Sequence, residues 1–168
     1  MLDRRLHAFR PDLADRALRG QVESERFVAP EAAMVAWPVA ALRPKPDLSI
    51  GIDTELLMGE EIRVFERQGD WAWVQAVDDG YVGYIPEAAI AACVAPSHVV
   101  TVPRTFVYSG PDLRFPMRMA LSMGSRLAIS GEAETRGTRY LLLADGGALV
   151  SQHLQPLSDP PAADYVSI

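Results

Sequence analysis

The sequence predicts an all-β chain: two small, strongly bent β-barrels in tandem, preceded by a short N-terminal helix and an extended arm. Three observations predict it. Thirteen prolines and twelve glycines cut the 168 residues into short pieces, which favours many short strands over long helices. Several of those pieces alternate at the two-residue period of a strand. One pattern also recurs 65 residues on, "LLMGEEIRVF" at 56–65 against "LSMGSRLAIS" at 121–130, with "DGYVGYIPEAAI" loosely matched by "DGGALVSQHL". The loops upstream agree in kind, "LRPKPDL" in one copy and "YSGPDLRFP" in the other.

Residues 1–30 form the helix and arm. In "PDLADRALRG" Pro11 and Asp12 suit a helix start, Leu13, Ala17 and Leu18 share a face, and Gly20 suits the stop, which predicts a helix over 11–20. "QVESERFVAP" reads as extended chain. The first barrel covers 31–94. It opens with a strand "AMVAWPV" and a proline-rich loop "ALRPKPDLSIGIDT", then continues with "ELLMGEEIRVFERQ", "DWAWVQAVD" and "GYVGYIP". Along "WAWVQAV", Ala72, Val74 and Ala76 point to one side; Trp71, Trp73, Gln75 and Val77 point to the other. "DDG" at 78–80 is a tight-turn signal, and "PEAAI" suits a single helical turn. "GEEIRVFER" alternates in charge like a solvated strand face. The second, divergent copy covers 95–157, and 158–168 reads as a linker.

Composition excludes several function classes. Asp plus Glu is 22 against 16 Lys plus Arg, a net charge of −6, the wrong sign for binding phosphate backbones, so no nucleic-acid partner is expected. No run approaches the roughly 18 apolar residues that a membrane span needs, and no apolar stretch follows the early arginines as in a secretory leader. Cys93 is the single cysteine. An internal disulfide is therefore impossible, which suits a reducing compartment and a cytoplasmic protein without membrane attachment.

Few residues suggest bond-making chemistry. His7, His98 and His153 are dispersed, with no metal-site spacing, and no glycine pattern forms a phosphate cradle, so no cofactor is expected. Cys93 sits among small apolar residues and reads as a buried or interdomain hydrophobe. The sharp feature is "DWAWVQAVDDGYVGYIP". If alanines and valine fill the barrel, Trp71 and Trp73 must lie outside it, with Tyr84 beside them and Tyr81 at the edge. Two readings stay open. The aromatics seal contacts with the arm or the other barrel, or they bind. In the second case, Asp53 and Glu55 of the proline-rich loop would complete a groove for a short peptide carrying a free amine.

Leu57 and Gly59, then Ile62 and Val64, then Trp71 to Val74, then Gly83, Tyr84 and Ile85 resemble the pattern of bacterial SH3 domains. Tyr140 and Leu143 stand roughly at the corresponding "W-x-x-V" pair in the second copy. The wider arrangement, "DRRLHAF…LRGQVESERFV" followed by two such domains and "PAADYVSI", resembles the front half of NlpC-type cell-wall cysteine peptidases. This resemblance implies a bacterial, non-catalytic substrate-recognition and targeting region, with a murein-derived peptide and a C-terminal peptidase domain as partners. Those enzymes carry their nucleophile in a "D-C-S-G"-like motif that Cys93 does not match, so the chain itself is not expected to be an enzyme. The location implied is inside the cell, on recycled wall fragments. The alternative is a scaffold or protein-interaction module with an aromatic binding surface.

Overall fold

The computed structural model describes residues 2–158, which fall into two units: residues 2–56 with 60–93, and residues 57–59 with 94–158. The chain is all-β, built from small sheets. The predicted linker, 158–168, lies almost wholly outside the described residues.

The first unit begins with β1 (Leu13–Asp15) and β2 (Arg26–Val28), paired in parallel with Leu13 opposite Arg26. Where a helix over 11–20 was predicted, only a 3-10 turn forms, Arg16–Leu18. The reason is visible in the burial. Leu13, Ala14 and Asp15 are all buried, so no single helical stripe is hidden, and the ladder to β2 claims their backbone groups. Asp15, rather than Asp12, caps the turn by accepting from the Ala17 N–H at 3.0 Å.

The barrel follows as β3 (Glu31–Val35), β4 (Val39–Leu42), β5 (Thr54–Leu57), β6 (Glu61–Gln68), β7 (Trp71–Ala76), β8 (Val82–Pro86), a 3-10 turn Glu87–Ala89 and β9 (Ile90–Ala92). One antiparallel sheet runs β8-β7-β6-β3-β9, and β4 pairs with β5 at the foot of the proline-rich loop. The predicted strand "AMVAWPV" is in fact two strands. It breaks at Ala36–Pro38, where proline cannot donate to a ladder. Five of the twelve buried core residues are alanine: Ala33, Ala40, Ala72, Ala76 and Ala89. An interior lined by such short side chains, with Val74, Ile62, Leu42 and Ile85, leaves no room for an indole.

The second unit holds β10 (His98–Val100), β11 (Arg104–Tyr108), β12 (Met117–Ser122), β13 (Arg126–Leu127), β14 (Gly131–Thr135), β15 (Thr138–Leu142), β16 (Ala148–Val150), a 3-10 turn Ser151–His153 and β17 (Leu154–Pro156). Its sheets run β12-β11-β16-β15-β14 and β13-β10-β17. The strand plan matches the first unit, with β6 corresponding to β13 and β14 together. β3 pairs with β6 and β9, and β10 pairs with β13 and β17. Core positions repeat at the same interval of 65: Val35 and Val100, Leu42 and Val107, Leu56 and Leu121, Ile62 and Leu127. The spacing then changes, because the hairpin and connection lengths differ in the second half.

Candidate functional site

The site is built on the outer face of β6, β7 and β8 in the first unit. Alternation along β7 sends Ala72, Val74 and Ala76 into the barrel and Trp73 and Gln75 to the far side. A β-bulge in β6 then alters the parity. Val64 lies opposite Val74, but Glu66 lies opposite Trp73, so Phe65 is the extra residue. Phe65 thus joins the outer face, its ring centroid 5.4 Å from that of Trp73 with the planes tilted by 50°. "GEEIRVFER" is therefore not simply a solvated face. Arg63 and Glu66 both work as anchors.

What they anchor is the N-terminal arm. The Val82 N–H donates to the Arg5 carbonyl at 2.7 Å, and Gln75 Nε2 donates to the Leu6 carbonyl at 2.9 Å. Arg63 Nη2 reaches the buried Asp15 carboxylate at 2.5 Å. Ala8 and Leu13 close over Trp73, Phe65 and Val82 as a second apolar cluster outside the barrel. Trp73 is consequently only 4% exposed.

Arg10 is the centre of this arrangement. Its guanidinium lies 4.4 Å from the Trp73 ring centroid and 6.0 Å from that of Tyr84. It donates to the Tyr84 hydroxyl at 2.8 Å, to Glu66 Oε2 at 2.6 Å and to Asp12 Oδ2 at 2.7 Å. Burial works against its charge, yet the carboxylates of Asp12 and Glu66 raise its pKa above the ordinary arginine value. Arg10 in turn holds the Asp12 carboxyl below the usual carboxylate range. A cation over an indole contributes about 0.5–2 kcal/mol, and charge-assisted hydrogen bonds about 1.5–3 kcal/mol.

Beside this anchor lies a pocket of about 180 Å³, lined by Pro46, Glu66, Gln68, Trp71, Trp73 and Tyr84. Three of the six predicted site residues meet there: Trp71, Trp73 and Tyr84. Tyr81 does not line it; it is half-buried against the barrel core, its N–H bonded to Asp79 Oδ1. Asp53 and Glu55 are exposed and do not line it either. The carboxylate on its wall is Glu66. Trp73 is sealed beneath the arm, whereas Trp71 stays half-exposed on the pocket wall.

Sequence reasoning missed Glu66, Gln68, Pro46 and Arg10. Glu66 faces outward only because of the bulge, which leaves no mark in the residue pattern. Arg10 meets partners 56 and 74 positions away, beyond any local periodicity. Cys93 is a plain correction. Expected to be buried, it is exposed. The last strand of the unit ends at Ala92, so the thiol has no ladder position or facing layer to hide it.

The pocket walls offer aromatic faces, a carboxylate, an amide and a phenol. A small β-barrel of SH3 type, clasped by its own arm, is the class that this geometry defines. Residues 42–90, which include every pocket residue, match the family model described as a bacterial dipeptidyl-peptidase SH3 domain. No curated protein matches the chain. Among solved structures, an NlpC/P60 family protein from Bacillus cereus is similar over 74% of this chain and 56% of its own, with 20% identity and a TM-score of 0.56. NlpC2 and NlpC1 from Trichomonas vaginalis align over 77% and 79% of this chain and 49% and 48% of theirs, with 13% and 14% identity and TM-scores of 0.34. The chain spans about half the length of these structures. The Bacillus cereus likeness supports the fold. Among the described residues, no helix is long and apolar enough to cross a membrane.

Proposed function

We propose that this chain is the non-catalytic recognition region of a bacterial cell-wall peptide hydrolase of NlpC/P60 type. Its first barrel receives a murein-derived peptide, and its partner is a peptidase domain whose active-site entrance it helps to shape. One observation carries this reading: the stretch that matches a peptidase-associated SH3 model also builds the pocket. The second unit, with the same strand plan, is proposed to be a second, divergent bacterial SH3 domain with boundaries near 95–157. The setting proposed is the cytoplasm, where wall fragments are reprocessed.

The test is titration of the full chain with L-Ala-γ-D-Glu-diamino-acid peptide while following the three indole N–H signals by NMR. Trp71 and Trp73 should move and Trp37, exposed and off the pocket, should not. If no indole moves even with an NlpC-type peptidase domain added in trans, the recognition role is wrong.

A second reading, a protein-interaction module, is favoured by a different observation. Apolar residues stand exposed on matching loops of both units, Leu48 and Ile52 in one, Leu113 and Phe115 in the other, with Met117 at the start of β12 beside them. Capture of a partner that Leu113→Ser and Phe115→Ser abolish, with the indoles silent to peptide, supports this alternative.

A further inference from the structure

Glu66 is held by two arginines of very different quality. Arg10 is 20% exposed and is tied to Asp12, Tyr84 and the Trp73 ring as well as to Glu66 Oε2. Arg26 is 62% exposed, and the structure gives its side chain a single bond, to Glu66 Oε1 at 3.1 Å. One oxygen is therefore locked, and the other is covered by a solvated, easily exchanged group. The pocket bounded by Trp71, Trp73 and Tyr84 opens on that same carboxylate. Two cations, Arg10 and Arg26, against two carboxylates, Glu66 and Asp12, also set the charge balance of the site. An incoming cation can replace Arg26 and keep that balance, whereas an anion faces Glu66 with nothing in the pocket lining to neutralise it.

We infer that the pocket selects a group with a cationic head, an alkyl-ammonium borne on a side chain, which takes Glu66 Oε1 from Arg26 while its stem lies between the aromatic faces. Arg10 stays in place as the positioning residue that aims Glu66 and the Tyr84 hydroxyl. The arrangement already contains one instance of this chemistry, because Arg10 itself sits over Trp73 against Glu66. Arg26 is then a gate on strand β2, and its removal should open the site. This inference rests on the proposed recognition role of the same pocket and specifies what the pocket prefers.

The experiment uses the full chain and two probes, Nα-acetyl-lysine methylamide and its uncharged counterpart Nα-acetyl-norleucine methylamide, read by the indole signals of Trp71 and Trp73. The lysine probe should bind at least tenfold more tightly than the norleucine probe. Arg26→Ala should tighten the lysine probe several-fold, and Glu66→Gln should weaken it at least tenfold. Because Glu66→Gln also disturbs Arg10, Arg26→Ala is the deciding variant; its pair is exposed, and its thermal midpoint should stay near that of the unmodified chain. Equal binding of the two probes, or an Arg26→Ala protein with unchanged affinity, overturns the inference. A wall peptide that moves the indoles when the lysine probe does not leaves the recognition role standing and removes only the cation preference. Silence to both probes and to the peptide removes both.

Discussion

The two units share a strand plan but treat the corresponding aromatic in opposite ways. Trp71 lies opposite Pro86 just before a 3-10 turn, and Tyr140 lies opposite Val150 just before another. The loops that approach them also correspond, Pro46-Asp47-Leu48 in one and Pro111-Asp112-Leu113 in the other. Both loops turn the same way, with the aspartate accepting from the N–H two residues on, at 2.8 Å for Asp47 and 2.9 Å for Asp112. In the second unit the Leu113 N–H donates to the Tyr140 hydroxyl at 3.1 Å, and the ring is 2% exposed. In the first, Pro46 stands across a pocket from Trp71, which remains half-exposed. The second unit thus closes a loop-to-ring contact where the first leaves a pocket, and that is why ligand binding is proposed for the first unit.

The contrast can be broken or sharpened by substitution. Trp73→Ala should cost the most, about 3–5 kcal/mol, because it empties the cluster under the arm. Urea denaturation would measure it, and arm residues should become protease-sensitive at once. Gly83→Ala comes next. A Cβ there would meet Leu42 Cδ2 at 2.3 Å and the Arg43 carbonyl oxygen at 2.6 Å, and backbone cannot swing aside, so a loss of about 1–3 kcal/mol follows. Gly147 is its counterpart in the second unit, and its nearest neighbours are side-chain atoms at 2.9–3.1 Å. Gly147→Ala should cost clearly less, and equal losses would mean that Gly147 is packed as tightly as Gly83. Tyr140→Phe should then cost about 1 kcal/mol by leaving the Leu113 N–H without its acceptor, and should loosen the loop in amide exchange.

Smaller still is the effect of acid. Arg10 holds the Asp12 carboxyl low, while the Arg114 N–H and then Arg136 do the same for Asp112. A lowered folded pKa means stabilisation that is present above the ordinary value of 3.8 and lost as pH falls through the folded value. Protection factors for amide exchange around the arm in one unit and the loop in the other should both fall below about pH 4, and neither should change between pH 5 and 7. Cys93→Ser should leave stability unchanged, and the native thiol should label rapidly.

The sequence disclosed the barrel more fully than the site. Ala72, Val74 and Ala76 fall on one face by simple alternation, and the "Leu-x-Met-Gly" turns at 56–59 and 121–124 announce the repeat. What stayed hidden has a common physical cause, distance along the chain. The bulge at Phe65 depends on cross-strand register, Leu13–Asp15 is a strand only because Arg26–Val28 lies beside it, and Glu66 faces Arg10 only after the arm has docked. Asp53 and Glu55 are legible as exposed acids in the sequence, whereas the place of Glu66 on the pocket wall depends on the bulge.

The clasp of the arm has a consequence for synthesis of the protein. Leu6 and Arg10 bond to Gln75 and Tyr84, residues translated 69 and 74 positions later. While the ribosome is still producing β6, a short stretch bearing Ala8 and Leu13 waits uncovered, because Trp73 and Val82 of its cluster are not yet made. Slowing elongation between those points would lengthen that wait, leaving the nascent chain open to chaperones and proteases for as long as it lasts.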